Sequence, residues 1–520
     1  MLTKPQLDKI VTSANTFKNS WNSEFWTVGA YTIPSRNYIW REKGLPENLK
    51  QIQLFTTAGR QGSQVFIARV QNRLTPFGKS WVNIIPQDSV NDAYKQELRD
   101  FLAVFSDEVN EYKTEIKLDK VLNEAYYDLI LGTAVLVKQN TITGLKYVNI
   151  PLIDIKLGLE DEQSVVREFK MCPVQLFATY PELRKNTGMI GKHIVTKENE
   201  LEEMAFQDVM YFDPRTQKYE YYLRQDGETI LYRTYKKSVY KILHWDKPAD
   251  MPYGDGVGMK ALPALKRLNA YIKANLEILP FAFPMFIAQN NALFDKNITF
   301  KPGGIIRTNG DPNQVIPVQL AQQANRFQLE IQREEMEIKQ IMLDYTLPSD
   351  PKDMTAAEVY ARTNPQDEMI NASMMKLTDV IKDIVMDIVE YLYTSRAQKY
   401  GLKMPFEEFS KMIEIQIGNG SDIDTQTINK IAQYVGFVGQ FDPQAIYQSL
   451  RRSQMLVTLQ KAMGLPQDII ATKTEIEEAQ AQAAEAQGQA AQADIEAQMA
   501  IDNNKENAVA QRELIKQQGV

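Results

Sequence analysis

The 520-residue sequence predicts a mixed α+β protein of several domains. Two long stretches with apolar residues at helical spacing, 259–283 and 320–345, flank a short stretch rich in β-branched residues, aromatics and glycine. Residues 134–245 have a different texture, short alternating runs broken by Gly, Asp and Asn. The C-terminal segment, 471–520, differs from both, with alanine at nearly every seam position of a heptad over 476–500.

Taken in order, residues 6–28 carry Leu7, Ile10, Val11, Ala14, Phe17, Trp21, Phe25 and Trp26, an amphipathic helix with a heavy aromatic end that packs on a core. Gly59-Arg-Gln-Gly62 precedes a helical pattern over 64–74. Without a preceding strand or the lysine and hydroxyl of a phosphate loop, it reads as a turn and cap. Residues 91–131 read as helix. Strands are expected at 135–137, 147–150, 165–166, 209–212, 220–223, 230–235 and 240–244, interrupted by a helix over 175–184.

The first long helix, 259–283, should kink at Pro280 and stop at Pro284. Short strands are expected at 286–288, 298–300 and 303–306. This small unit carries Phe286, Lys296, Phe300, Lys301, Ile305 and Arg307, and its edges are templates for pairing with a neighbouring chain. The second long helix has Leu320, Ala324, Phe327, Ile331, Ile338, Ile341 and Tyr345 along one seam, broken only by Glu334. About 25 residues of helix rise roughly 40 Å, so two such rods hold the β unit away from the rest. Arg326, Arg333 and Lys339 alternate with Glu330, Glu335 and Glu337, a solvated, salt-bridged face that side-by-side subunits could also use for register. The loop from Tyr345 to Thr355 is restricted by two prolines. Thr355 can cap the next helix, with Glu358 at the capping-box position. A helical pattern runs from there to Tyr400 and Gly401, followed by shorter helices over 405–465. The alanine heptad of 476–500 suits either a partly solvated helix or a tube of helices from neighbouring copies.

No run approaches the ~18 apolar residues of a membrane span, so no membrane partner is expected. The N-terminus lacks the apolar centre of a signal peptide. A single cysteine, Cys172, suits a reducing compartment. The net charge of −7 argues against sequence-specific DNA recognition, which normally presents a basic surplus. It does not argue against a conduit through which DNA slides. His193 and His244 are the only histidines and have no flanking ligand pattern, so no zinc site is expected. Gly254-Asp-Gly-Val-Gly258 lacks the spacing and βαβ context of a dinucleotide loop, and Asp422-Ile-Asp424 lacks the rest of a calcium loop. The sequence offers no catalytic constellation and calls for no cofactor.

Pro252-Tyr-Gly-Asp-Gly-Val-Gly258, leading into Ala261-Leu-Pro-Ala-Leu-Lys-Arg-Leu-Asn269, resembles the run before the stem helix in portal proteins (head-to-tail connectors) of short-tailed phages. Thr355-Ala-Ala-Glu-Val359 with Arg362, Thr56-Thr-Ala58 through Leu74-Thr-Pro76 and Trp81, and Leu129-Ile-Leu-Gly-Thr-Ala-Val-Leu136 resemble further family blocks in the same order, over residues 5–460. The resemblance implies a wing (1–256), stem helices (257–283 and 319–345), a clip (284–318), a channel loop (346–354), a long wing helix (355–401), a crown (402–470) and a helical barrel or tail (471–520). It implies a twelve-membered homo-oligomeric ring at one vertex of the virion, assembled in the host cytoplasm, through which double-stranded DNA is packaged and ejected. Partners would be terminase and then the tail adaptor at the clip, with capsid and scaffolding proteins around the ring. Tyr345, Leu347, Ser349, Asp350, Lys352, Asp353 and Met354 would face DNA, with Lys352 the only cation of a weak collar. Two other readings remain, a scaffolding protein assembling through its coiled-coil tail and an enzyme using the 254–258 loop for a nucleotide.

Overall fold

The computed structural model describes residues 1–36, 53–87, 92–141, 144–158, 164–185, 189–190, 193–196, 199–249, 251–278, 285–288, 315–318, 321–343, 374–395 and 404–418. All of them lie in one compact unit, Met1–Asn419. The expected kink at Pro280 and stop at Pro284, the strands at 298–300 and 303–306, and the expectations for 344–373, 396–403 and 419–520 fall outside these residues.

Helix α1, Lys4–Thr32, starts where the Thr3 N–H donates to Gln6 Oε1 at 2.8 Å, part of a capping box. It is a strap between two cores. Leu7 and Ala14 pack with Val166, Val209 and Tyr222, while Phe25 and Val28 join the main cluster. Helix α2, Ala58–Leu74, begins earlier than its sequence suggests, so Gly59 and Gly62 are inside it rather than in a turn before it. A Cβ at Gly59 would stand 2.5 Å from the Tyr31 carbonyl oxygen, and one at Gly62 would stand 2.9 Å from Met342 Cγ. Close helix contact, not capping, explains these glycines.

The stretch read as one helix over 91–131 is two, α3 (Asp92–Glu115) and α4 (Leu118–Asp128), parted by Lys117 at φ +55°. A 3-10 turn, Leu129–Leu131, ends in Gly132 at φ +99°. Strands β2 (Thr133–Thr141), β3 (Gly144–Ile150) and the later β11 (Tyr240–His244) form a three-stranded sheet in the order β11-β2-β3, with Val135 opposite both Ile150 and Ile242. Strands β4 (Ile155–Leu157), β5 (Ser164–Met171), β8 (Met204–Asp213), β9 (Lys218–Gln225) and β10 (Glu228–Tyr235) form an antiparallel sheet ordered β10-β9-β8-β5-β4. A short helix, α5 (Pro173–Thr179), and the minimal pair β6 (Met189–Ile190) and β7 (His193–Ile194) lie between β5 and β8 in sequence. All seven expected strands over 135–244 are present.

Two strands were not foreseen in their roles. The chain before α3 forms β1, Val82–Pro86, and residues 413–417, expected within helical sequence, form a strand paired with it, Val82 opposite Ile417 and Ile84 opposite Ile415. We call the latter β14. The pairing ties sequence read as crown to the N-terminal half. Buried Ile84, Ile413 and Ile415 supply the reason, since alternate residues of a half-buried strand share one face.

A helix over 374–395, α8, lays Leu377, Ile381, Ile384, Val385, Ile388 and Leu392 into the main core. It also buries Asp387, whose carboxylate takes Lys241 at 3.1 Å, Lys138 at 3.3 Å and the Tyr147 hydroxyl at 2.7 Å. Burial alone would raise the Asp387 pKa, but the two lysines and the hydrogen bonds outweigh it and hold the carboxyl below its ordinary value. A depressed carboxylate contributes stability that is present above its unfolded pKa, near 4, and is lost as pH falls through the lower folded value. Asp387→Asn should therefore flatten the acid limb of a thermal-unfolding profile below about pH 4. Asp387→Ala, which strands both lysines, should cost about 3 kcal/mol near neutrality by denaturant titration. An unchanged acid limb in the Asn variant would exclude this role.

Candidate functional site

The chain reaches its two-helix rod through a loop of glycines. Trp245 N–H donates to the Gly132 carbonyl at 3.1 Å, and Gly254 N–H donates to Thr133 Oγ1 at 2.8 Å. A Cβ at Gly256 would lie 2.2 Å from the Ile130 carbonyl oxygen, and one at Gly254 would lie 2.4 Å from that of Gly132. The faces that a phosphate would need are therefore filled by the backbone of 130–132, which removes the basis for a nucleotide at this loop.

Helix α6, Val257–Ile278, leaves this loop, and helix α7, Ala321–Ile341, returns beside it. At 22 residues α6 is roughly 33 Å long. Between them the sequence passes through strands β12 (Met285–Ala288) and β13 (Val315–Val318), paired antiparallel with Phe286 opposite Pro317. β13 was missed because Pro317 argues against a strand. Among the described residues β12 pairs only with β13, so the proline stands in an edge strand, where it is tolerated.

Leu265, Leu268 and Ile272 of α6 and Ile331 and Ile338 of α7 belong to the main core cluster, and the Tyr271 and Phe327 rings of the two helices stand 6.3 Å apart. Glu334, the one break in the apolar seam, is buried there and takes Arg267 Nε at 2.8 Å, while Arg267 Nη2 reaches Glu337 at 3.0 Å. The other Glu334 oxygen, Oε2, has no hydrogen-bond partner among the described residues. These hydrogen bonds, that to Glu334 first, hold the Arg267 guanidinium above its ordinary pKa. Arg267 was not among the residues expected from sequence, and Glu334 and Glu337 were noted without this partner. A lone carboxylate inside an apolar seam, opposite a helix carrying arginine, was the available signal.

Of the expected stem charges, Arg333 and Glu330 approach to 4.0 Å on the helix surface, Lys339 is exposed and Glu335 half-buried. They do not join the clamp. Arg326 lies in α7, but its side chain is outside the described residues. α7 ends at Ile341, short of the expected Tyr345, because Leu343 turns to φ +60°. Tyr345, Leu347, Ser349, Asp350, Lys352, Asp353 and Met354 lie outside the described residues, as do Lys296, Phe300, Lys301, Ile305 and Arg307.

The face of α7 turned from the seam is apolar at its centre. Leu329 is 69% exposed and Met336 64%, one heptad apart, in a shallow groove with Gln332, Arg333 and Gln340. On α6, Leu276 is 49% exposed. Elsewhere, a 530 Å³ cleft lies among β2, the β10–β11 turn and α8. Three of its cations are matched, Lys138 by Asp387, Arg233 by Glu182 and Lys236 by Glu407. Among the described residues, no group of three or more His, Cys, Asp or Glu could hold a metal, and no helix is long and apolar enough to cross a membrane.

Arg267→Ala leaves Glu334 buried without its cation and should lower the thermal midpoint by a few degrees. Arg267→Met with Glu334→Leu, which removes both charges and keeps the volume, should recover most of it. Scanning calorimetry of the two variants decides this, and additive losses in the double variant would refute the clamp.

No curated protein sequence matches the chain. Among solved structures it is similar to a chain in the neck of an empty gene transfer agent particle computed with C6 symmetry, at 12% identity and a TM-score of 0.34, covering 79% of this chain and 90% of that one. It is also similar to a chain of the native gene transfer agent virion, at 11% identity and a TM-score of 0.31, covering 82% and 94%. The sequence model of the bacteriophage head-to-tail connecting proteins matches residues 4–470, nearly the whole length. The chain belongs to that family.

Proposed function

We propose that this connector is a portal, a closed ring of identical subunits at one vertex of a phage head, whose axial channel passes double-stranded DNA during packaging and ejection. The observation that carries the reading is the α6/α7 rod, taken with family membership. Its inner seam is sealed by an apolar stripe and the Arg267–Glu334–Glu337 clamp, while Leu329 and Met336 remain uncovered on its outer face. A second copy is the natural cover. Head-to-tail contacts between unlike faces, Leu276 and Lys273 on α6 against Leu329, Met336 and Glu330 on α7, repeat around an axis and close when the rotation permits. Twelve copies are expected.

In this reading 257–283 and 319–345 are the stem, 284–318 the clip, 346–354 the channel loop, and 1–256 with 355–401 the wing. Residues 402–470 form the crown and 471–520 a barrel or tail. The clip, with Phe286, Lys296, Phe300, Lys301, Ile305 and Arg307, docks terminase and then the tail adaptor, and the wing and crown seat the ring among capsid and scaffolding proteins. The channel loop, with Tyr345, Leu347, Ser349, Asp350, Lys352, Asp353 and Met354, faces DNA. Lys352 is its sole cation between Asp350 and Asp353, so phosphate contacts are weak and DNA is not braked. The chain itself catalyses nothing, and the packaging ATPase is a partner assembled with it in the host cytoplasm.

Electron microscopy and mass measurement of the purified protein should show rings with an axial hole wide enough for duplex DNA. Leu329→Asp with Met336→Asp should yield folded monomers, checked by circular dichroism. Intact rings in that variant would reject the proposed interface, and monomers or filaments in the unaltered protein would reject the portal. In rings, Lys352→Ala should reduce the salt dependence of DNA retention while leaving ring number unchanged.

A further inference from the structure

Lys18 lies in the middle of the α1 strap and is almost completely buried, at 3% exposure. Its ammonium nitrogen donates to the Leu152 carbonyl at 2.8 Å and stands 4.5 Å above the Phe25 ring and 4.8 Å above the Tyr253 ring. Phe17, Trp21 and Phe25 all pack on Tyr253, with centroids 6.4, 5.8 and 5.4 Å away. The Tyr253 hydroxyl in turn accepts from the Leu157 N–H at 3.0 Å. One amine thus joins α1, the 3-10 turn before β4, and the loop that launches α6.

This box is unusual for a lysine because it contains no carboxylate partner. None lies within ion-pair distance among the described residues, and a carbonyl with two ring faces is all that holds the charge. The titratable groups around it are few. Lys156 on β4 repels the ammonium, while Asp154 in the 3-10 turn and Asp128 at the end of α4 attract it from farther off. Asp128 is already engaged by Arg36 at 3.3 Å and Asn149 at 2.9 Å, and Lys156 by Glu168 at 2.6 Å. Tyr253 is itself held neutral by burial. A desolvated ammonium without a counter-ion is costly, whereas a neutral amine keeps the same hydrogen bond without that cost.

We propose that Lys18 is a proton-operated latch, whose neutral amine locks the α1 strap onto the loop that seats α6 and whose protonation loosens that joint. Burial, reinforced by Lys156, lowers its pKa from 10.5 to about 7, which places the change near neutral pH. The sign follows from proton binding. Between about pH 7 and 10 the unfolded chain holds a proton on this amine that the folded chain refuses, so stability rises with pH across that window. Below about pH 7 both states carry the proton and the contribution is flat at its lowest.

The test uses the full-length protein and two variants. Thermal midpoints of wild type, Lys18→Met and Lys18→Arg are measured from pH 6 to 9, below the range where tyrosines ionise. Met fills the same channel without a charge, so the wild-type midpoint should fall relative to Lys18→Met as pH drops from 9 to 7 and then run parallel to it. Lys18→Arg, which stays charged, should lie below both at pH 9. Hydrogen exchange corrected for intrinsic rates should show residues 8–25 and 251–256 opening more at pH 6.5 than at pH 8.5 in wild type, with no such difference in Lys18→Met. Parallel profiles for wild type and Lys18→Met over the whole range, or uniform exchange at the two pH values, would overturn the latch. Neither readout depends on ring formation or on DNA.

Discussion

The fold turns on a backbone contact that only glycine allows. Gly254 and Gly256 lie against Ile130 and Gly132, close enough that a single methyl group on either would collide with a carbonyl. Gly132 is itself at φ +99°, where a side chain would be strained. Because Gly132 also opens β2, the same few residues fix the start of the central sheet and the start of α6. Gly258 extends the contact, with Val28 of α1 and Ile130 both within 3 Å of where its Cβ would be. The rod therefore grows from a rigid joint made by three chain segments that are distant in sequence. A swivelling joint would leave the direction of α6 undefined, and no interface built on the rod could then repeat from copy to copy.

Charge is handled by the same economy. Three buried carboxylates are answered locally. Asp387 has two lysines and a tyrosine, Glu334 has Arg267, and Asp208 has Arg167 with the hydroxyls of Tyr221 and Tyr240. Their environments differ in sign. Burial wins at Asp208 and raises its pKa, while the lysines win at Asp387 and lower it. These pairs do little for net stability compared with apolar residues of the same volume, but each fixes a register. Asp387 admits one seating of α8 on the sheet, and Glu334 admits one phase of α7 on α6. In each case a one-turn slip would leave a charge facing hydrocarbon.

How much of this the sequence foretold depends on how local the cause is. The seven strands over 135–244 and the rod helices follow from periodicity and β-branched content, which act within a few residues, and they were legible. The β1–β14 pair was not. Its partners are over 300 residues apart, and Ile413-Glu-Ile-Gln-Ile417 beside a helical run carries no mark of where its mate lies. Gly59 and Gly62 were misread for a related reason, since glycine before a helical pattern signals a turn unless one knows that Met342 and Tyr31 press on it. The stem charges named from sequence were visible because they are exposed and regularly spaced. The pairing that joins the two helices, Arg267 with Glu334 and Glu337, was overlooked because Glu334 registered only as a flaw in the seam.

That flaw bears on assembly. A helix whose two faces were both purely apolar could pack on α6 by either face, and isolated subunits would exchange one contact for the other. Burying Glu334 against Arg267 assigns the inner face of α7 to α6, since the carboxylate would be uncompensated anywhere else. In the proposed ring Leu329 and Met336 would then be left for a neighbouring copy, with Arg333 and Glu330 beside them to discriminate by charge. In the proposed ring, intramolecular specificity would thus come first and make intermolecular repetition possible, because every subunit would offer the same face at the same angle. A polar break in one seam would be what keeps the other seam free.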